Sequence, residues 1–360
     1  MDPKTAPLPD TSSPDASLPG DPDPTLAARL TALFEAGTPA ATQRAYARDL
    51  AYITAWKQLA FDAPLIWPED ETVALRFILD HSEDLTAVPD THPARQVMQA
   101  LVDAGLRRAL TRPAPATLDR YVATWASLHR LRGHESPFAL PRLATARRKS
   151  RAAATRDSGA RAARHSGHPI TREVLDTLIA ALPRDLSGLR DAAMFSFAFA
   201  SGGRRVSEIT ALRRGNLMTD RHASDGLIEI QLDQTKTTAP GATPRLMLKG
   251  SAARMMMQWL GTAEIERGPV FRVITATDRV LSRGLAPRSI REILKRRLAG
   301  AGYPHDYATP HGFRSGFMTE AGRRGVPLPQ AMRLSLHSSV QQAMRYYDEG
   351  EVEQNEGLDI

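Results

Sequence analysis

The sequence predicts a mainly α-helical chain with one small antiparallel β-sheet in its second half and an all-α bundle in its first. Three observations carry this. Apolar residues recur at helical spacing along most of the 360 residues. Only one segment shows the period of a half-buried strand: Ile228, Ile230 and Leu232 alternate with Glu229, Gln231 and Asp233. A turn rich in Thr, Pro and Gly follows and leads into Arg245-Leu-Met-Leu-Lys249, so the pair reads as a hairpin with Lys236 at the start of its loop.

Residues 1–24 are rich in Pro, Asp, Ser and Thr, bury too little apolar surface to offset ordering entropy, and read as a disordered tail. Residues 25–141 read as a helical domain. Within 42–59, Tyr46, Leu50 and Ile53 fall at i, i+4, i+7, with Arg44 and Arg48 four apart on another face. Segments 70–81 and 92–110 read as further helices, and 117–131 carries Leu118, Tyr121, Trp125 and Leu128 on one stripe. From 142 to 168 the composition shifts to Arg, Lys, Ala, Ser and Gly, with Asp157 the only acid, which reads as a basic linker suited to phosphates. The second domain spans 169–360. Thr171 is its first N-cap, ahead of a stripe of Val174, Leu175, Leu178, Ile179 and Leu182. Another helical region, 190–212, is interrupted by Gly202 and Gly203, and helices are expected again from Ala252 onward.

Composition narrows the function. A net charge of +7 favours a polyanionic partner, nucleic acid before an anionic membrane. The absence of cysteine excludes disulfides, thiolate metal sites and cysteine nucleophiles. No apolar run reaches the length of a spanning helix, and the N-terminus lacks the order of a secretory signal, so a cytoplasmic location is expected.

Four places in the second domain carry chemistry. Arg205 and Glu208 follow the glycine pair, where a planar guanidinium can meet a phosphate and Glu208 can hold it. Thr309 and Pro310 suit the N-cap and first position of a helix that would put His311 and Arg314 on one face of its first turn. A helix start already attracts phosphate, and an imidazole and a guanidinium there make an oxyanion clamp. Finally, His337 precedes Tyr346 by nine residues, with Tyr347 adjacent; on a helix only one of the two phenols can face a given site.

As an ordered set these residues resemble the tyrosine recombinases of the phage-integrase family, over roughly Pro169 to Tyr347. Gly-Gly-Arg-Arg-Val-Ser-Glu at 202–208 is similar to the family's Thr-Gly-Leu-Arg-x-Ser-Glu and aligns its first arginine with Arg205, leaving Arg204 in the variable slot. Gln-Thr-Lys-Thr at 234–237 aligns the hairpin lysine with Lys236. His311 and Arg314 fill His-x-x-Arg, and His337 and Tyr346 fill the Leu-Gly-His-Ser-Ser box and its tyrosine. Residues 42–50, ending at Trp56, resemble the first helix of the family's core-binding domain. The chain departs from the pattern at Leu336, where Gly is usual, and at Gly312 and Ser315 beside His-x-x-Arg.

The resemblance implies metal- and ATP-independent transesterification of DNA, with no cofactor. Tyr346 would form a 3′-phosphotyrosine and release a 5′-hydroxyl. Arg205 and Arg314 would hold the phosphate, Lys236 would protonate the leaving oxygen, His311 would act as base or positioner, and His337 would donate a hydrogen bond to the phosphate. Double-stranded DNA and a homotetramer on two DNA sites are the implied partners; the need for accessory DNA-bending proteins is left open. Arg44, Arg48, Arg147, Arg148, Lys149 and Arg151 are the expected phosphate contacts. A type IB topoisomerase-like enzyme and a non-catalytic DNA-binding protein on the same scaffold are the alternatives.

Overall fold

The computed structural model describes residues 24–157, 168–232, 245–337 and 339–352. The expected tail up to 23, Lys236 and the acidic end beyond 352 lie outside these residues. The chain divides into two compact units, Met1–Ala162 and Ala163–Ile360.

The first unit is all helical: α1 (Pro24–Gly37), α2 (Ala40–Phe61), α3 (Glu71–Asp80), α4 (Pro93–Asp103), α5 (Pro115–Leu131) and α6 (Pro141–Asp157). Its starts follow local chemistry. The Asp70 carboxylate accepts the Thr72 N–H at 2.6 Å ahead of α3, and Pro93 and Pro115 open α4 and α5, where a missing N–H does no harm. Ile53 and Trp56 of α2 pack with Phe77 and Ile78 of α3, Met98 and Leu101 of α4, and Trp125 of α5, all essentially inaccessible. Of the α5 stripe, Leu118, Trp125 and Leu128 are buried as their spacing predicts, and Tyr121 is half-buried. On α2 the buried face is rotated from the expected one: it runs through Asp49, Tyr52, Ile53 and Trp56, while Tyr46 stacks on Phe34 of α1 instead. Asp49 is tolerated there because Thr124 and Arg120 bond its carboxylate. Buried His81 accepts from the Tyr52 hydroxyl at 2.8 Å and donates from Nδ1 to the Phe77 carbonyl at 2.6 Å, and desolvation pushes its pKa down to about 3.

The expected linker is corrected over its first part. Residues 141–157 form helix α6, which packs on the first unit: Leu143 is fully buried, the Ser82 hydroxyl bonds the Ser150 hydroxyl at 2.6 Å, and Arg147 and Arg151 pair with Asp119 of α5. One buried leucine, strong helix formers and two ion pairs suffice where few large apolar side chains are present. Residues 158–167 of that linker lie outside the described residues.

The second unit is mainly α with two small sheets. Helices α7 (Arg172–Ala180) and α8 (Leu186–Ala200) lead to α9 (Val206–Ala211); then come β1 (Leu217–Met218), the short α10 (His222–Asp225), β2 (Ile228–Gln231), β3 (Arg245–Leu248) and α11 (Gly250–Thr262). Strands β1, β2 and β3 form one antiparallel sheet in that order, with Ile228 opposite Leu248 and Gln231 opposite Arg245, so the predicted hairpin is present. Next is β4 (Arg272–Ile274) with β5 (Val280–Gly284), a two-stranded sheet in a region expected to be mainly helical; at three and five residues its strands are too short to show a period. Helices α12 (Pro287–Gly300), α13 (Gly312–Arg323), α14 (Leu328–Ser335) and α15 (Val340–Val352) complete the unit. Helix α8 is the central post: Met194, Phe195 and Phe197 are inaccessible, and α11 and α13 pack against it. Met318 and Ala321 of α13, Ala331 of α14, and Ala343 and Tyr347 of α15 form a separate small core. Among the described residues no helix is long and apolar enough to cross a membrane.

Candidate active site

The site starts at the end of α8, where two glycines are required. Gly202 and Gly203 sit at φ +88° and +76°. A Cβ on Gly202 would lie 2.5 Å from the Leu334 carbonyl, and one on Gly203 would lie 2.1 Å from the Arg314 Cα. Positive φ and this close backbone approach bring the start of α9 against α13 and the end of α14. Arg205 then occupies the N-cap of α9. Its backbone N–H donates to Glu208 Oε2 at 3.4 Å and its guanidinium donates to Glu208 Oε1 at 3.0 Å. Glu208 thus holds Arg205 as the spacing predicts, and it also lies 3.5 Å from Arg204 Nη1.

Helix α13 begins at Gly312, with His311 in the capping position, so the expected start at Thr309 and Pro310 is two residues early. Those two form a turn closed by the Gly312 N–H donating to the Thr309 carbonyl at 2.7 Å. Arg314 is 6% exposed. It donates through Nη1 to the Gly203 carbonyl at 3.4 Å and to the Ser335 carbonyl, and through Nε to His337 Nε2 at 3.0 Å. The other ring nitrogen of His337, Nδ1, lies 2.7 Å from Ser335 Oγ. Since Nε2 accepts, Nδ1 carries the proton and donates. Both nitrogens are engaged by protein, so in this arrangement His337 offers no N–H to a phosphate. Ser315, beside Arg314, is buried and bonds the Gly312 carbonyl at 3.2 Å.

Leu336, between α14 and His337, adopts φ +54°, the left-handed cap conformation that favours glycine. The unusual leucine therefore keeps the turn. Beyond it, α15 lies along α13: the Thr319 hydroxyl donates to the Tyr346 carbonyl at 3.1 Å, and the Tyr347 hydroxyl donates to the Val326 carbonyl at 2.7 Å. Tyr347 is buried in the small core, whereas the Tyr346 ring stands 6.2 Å from the His311 ring at 65°.

Three guanidiniums, those of Arg204, Arg205 and Arg314, gather around one carboxylate, Glu208, leaving an excess of positive charge. Burial, then the neighbouring charges of Arg204 and Arg205, lower Arg314 to about 10, so it stays protonated at neutral pH. Burial, Arg314, His311 and the other two arginines push His337 down to about 4. Desolvation, then Arg314 and Arg205, also lowers His311. Both imidazoles are therefore neutral at pH 7, able to accept a proton or a hydrogen bond. The cleft is about 510 Å³ and is lined by Arg205, Ser207, Pro287, Arg291, His311 and Arg314. Arg291 of α12 was missed in the sequence. Its signal is the basic stripe Arg288, Arg291 and Lys295 at helical spacing just before His-x-x-Arg.

The second unit thus brings Arg205, Glu208, His311, Arg314, His337 and Tyr346 to one region. Lys236 belongs to the hairpin connection outside the described residues. On the first unit, Arg44, Arg48, Arg148, Lys149 and Arg151 are exposed, whereas Arg147 is half-buried. Arg147 and Arg151 are held by Asp119, and Arg48 lies 4.0 Å from Asp49.

Residues 169–352, just over half of the chain, match the phage integrase family. An integrase/recombinase XerD homolog of Selenomonas ruminantium is 29% identical over 198 residues, 53% of this chain and 56% of that protein, so the chain matches little more than half of that relative's length. Among solved structures, the Tn1549 transposon integrase (residues 82–397), in complex with circular intermediate DNA, is similar with a TM-score of 0.55 at 12% identity, covering 91% of this chain and 98% of that one. A λ integrase dimer bound to a COC′ core site has a TM-score of 0.49 at 15% identity over 90% of this chain and 76% of that one. The mainly helical fold with its small antiparallel sheets is that of the tyrosine recombinases. The chain belongs to the phage integrase family.

Proposed function

We propose that this protein is a site-specific DNA recombinase that cuts and rejoins strands through a 3′-phosphotyrosyl intermediate on Tyr346. The observation that carries this reading is the Tyr346 ring standing 6.2 Å from a neutral imidazole, His311, beside the Arg205–Arg314 pair. An oxyanion placed between those guanidiniums has its charge met by groups already held in position by Glu208 and Ser335. The Tyr346 oxygen attacks phosphorus, His311 takes the phenol proton, and the bond to the deoxyribose 5′-oxygen breaks. Lys236 returns a proton to that oxygen. His337 orients Arg314; if it is also to donate to the phosphate, its Nε2 must first be released from Arg314. The phosphoester is conserved in the intermediate, so the 5′-hydroxyl of a second strand can reverse the step with no nucleotide hydrolysed and protein groups handling every proton.

The partner is double-stranded DNA, with four protomers on two sites. The excess of basic residues and the DNA carried by the Tn1549 transposon integrase structure support the DNA partner. The test is a library of nicked suicide duplexes with randomised cores. Wild type is expected to trap a covalent protein–DNA adduct that survives EDTA, and Tyr346→Phe to trap none. An adduct that persists in Tyr346→Phe, or one lost with EDTA, sinks the reading. Relaxation of plasmid lacking any recovered site points instead to topoisomerase-like activity.

A further inference from the structure

Arg204 is 1% exposed, and its guanidinium is sealed from solvent. Desolvation lowers its pKa, opposed by Glu208. A guanidinium placed so deeply needs partners, because an apolar side chain of similar size is often at least as stable. Its partners are few. Nη2 donates to the Leu334 carbonyl at 2.6 Å, Nη1 lies 3.5 Å from Glu208 Oε2 without a hydrogen bond, and Nε and Nη1 have no hydrogen-bond partner among the described residues.

The one hydrogen bond has a telling address. Leu334 lies in the last turn of α14, whose carbonyls have no donor within the helix. The next carbonyl, that of Ser335, is taken by Arg314, and the Ser335 hydroxyl is bonded to His337. Arg204 and Arg314 therefore dock on consecutive carbonyls at the negative end of one helix. Gly202 supports the contact, since its backbone packs directly on Leu334. Arg204 is followed at once by Arg205, and both are within ion-pair distance of Glu208.

We propose that Arg204 is a positioning residue: it locks the carbonyl end of α14 to the turn that carries Arg205, so that Arg205, Arg314 and His337 meet a phosphodiester as one rigid set. The phosphodiester part rests on the DNA-cleavage reading above; the lock itself does not. Arg204 acts through Arg314 and His337, and its charge is one of those that keep His337 neutral.

The experiment compares full-length wild type with Arg204→Leu and Arg204→Lys in four measurements: thermal melting, DNA affinity, single-turnover adduct formation, and NMR titration of the His337 imidazole without DNA. His337 faces Arg314 and His311 from α13 and its approach, Arg204 and Arg205 from the approach to α9, and Ser335 from α14. Arg204→Leu is expected to bind DNA within about twofold of wild type yet cleave on the order of 10- to 100-fold more slowly, the effect of a small misplacement of reacting groups. Its His337 should titrate at higher pH than in wild type. Arg204→Lys, which keeps the charge but not the fork, should recover part of the rate and most of the titration shift. Folded Arg204→Leu with wild-type cleavage and unshifted His337 overturns the proposal. If Arg204→Leu does not fold, Arg204→Lys decides: slowed cleavage with normal DNA affinity supports the lock, and an undiminished rate overturns it. If wild type itself forms no adduct, the DNA-cleavage reading fails, while the His337 titration still decides the lock.

Discussion

Tyr346 and Tyr347 are neighbours on α15 in different environments: Tyr347 is buried and donates to the Val326 carbonyl at 2.7 Å, while Tyr346, half-buried against the same small core, has its ring toward His311. Tyr346→Phe is expected to abolish the covalent adduct and leave thermal melting unchanged. Tyr347→Phe should keep the adduct and lose about 1 kcal/mol of stability, a shift of roughly 2–4 °C, by leaving the Val326 carbonyl unpaired. Adduct and melting assays on the two variants check this, and the reverse pattern would move the nucleophile by one residue.

Arg314 holds the site together through its bonds to Gly203, Ser335 and His337, and in the proposed reaction it also binds the anion. Arg314→Lys should slow cleavage by about 10²–10³-fold, the loss typical for one oxyanion donor. Arg314→Ala should in addition lower stability by about 1–3 kcal/mol, because the buried Ser335 carbonyl loses its donor. Denaturant melts alongside single-turnover cleavage separate the two effects.

Leu336 holds a left-handed conformation that disfavours a side chain. Leu336→Gly should raise stability by up to about 1 kcal/mol, the strain relieved less the entropy glycine adds to the unfolded chain. Calorimetry checks it; a fall in stability would mean that the packing of the half-buried leucine outweighs the strain.

Acid should weaken both units. His81 at about 3 and His337 at about 4 lie below the unfolded value of 6.5. A depressed folded pKa means the unfolded chain binds more protons below 6.5, so this stability is fully present above pH 6.5 and is lost as pH falls towards 4 and then 3. Protonated His337 can no longer accept from Arg314. Cleavage should therefore hold as pH drops just below 6.5 and fail as it approaches 4, which a pH–rate profile on folded protein tests. Protonation of His311, the proposed base, whose pKa burial also lowers, would stop cleavage too, so a loss of rate centred at 6.5 would contradict the buried settings of both imidazoles.

The basic residues of α6 should differ in their effect on DNA binding. Arg148 and Lys149 are exposed, and replacing either by Ala should reduce the slope of log K against log salt by about 1. Arg147→Ala should change that slope less and stability more, because Asp119 already holds it at 2.9 Å. Affinity measured across a salt series distinguishes them, and slopes equal to that of wild type for all three variants would remove α6 as a DNA contact.

Much of the site was legible because its residues sit in short local patterns. Glycines before Arg205, a three-residue step from His311 to Arg314 and a nine-residue step from His337 to Tyr346 can all be seen without folding the chain. Where reading failed, the deciding contact lay outside the pattern that was read. Helix α6 looked like a linker because its composition lacks large apolar residues, yet Leu143 finds the first core and Asp119 anchors two arginines. The start of α13 looked well capped by Thr309, but the helix begins only after the turn that Gly312 closes. Strands β4 and β5 were too short to show a period.

By itself, the order of residues determined the helical class, the single alternating hairpin and which side chains are candidates for the chemistry, because spacing along a helix or strand is a local property. Only tertiary structure decided how they are used. It turned Tyr347 inward and left Tyr346 at the site, engaged both nitrogens of His337, and set Arg204 and Arg314 on consecutive carbonyls of α14. Those outcomes depend on burial and on contacts that only folding makes; the farthest, between Arg204 and Leu334, spans 130 residues, and no local pattern encodes such a pairing.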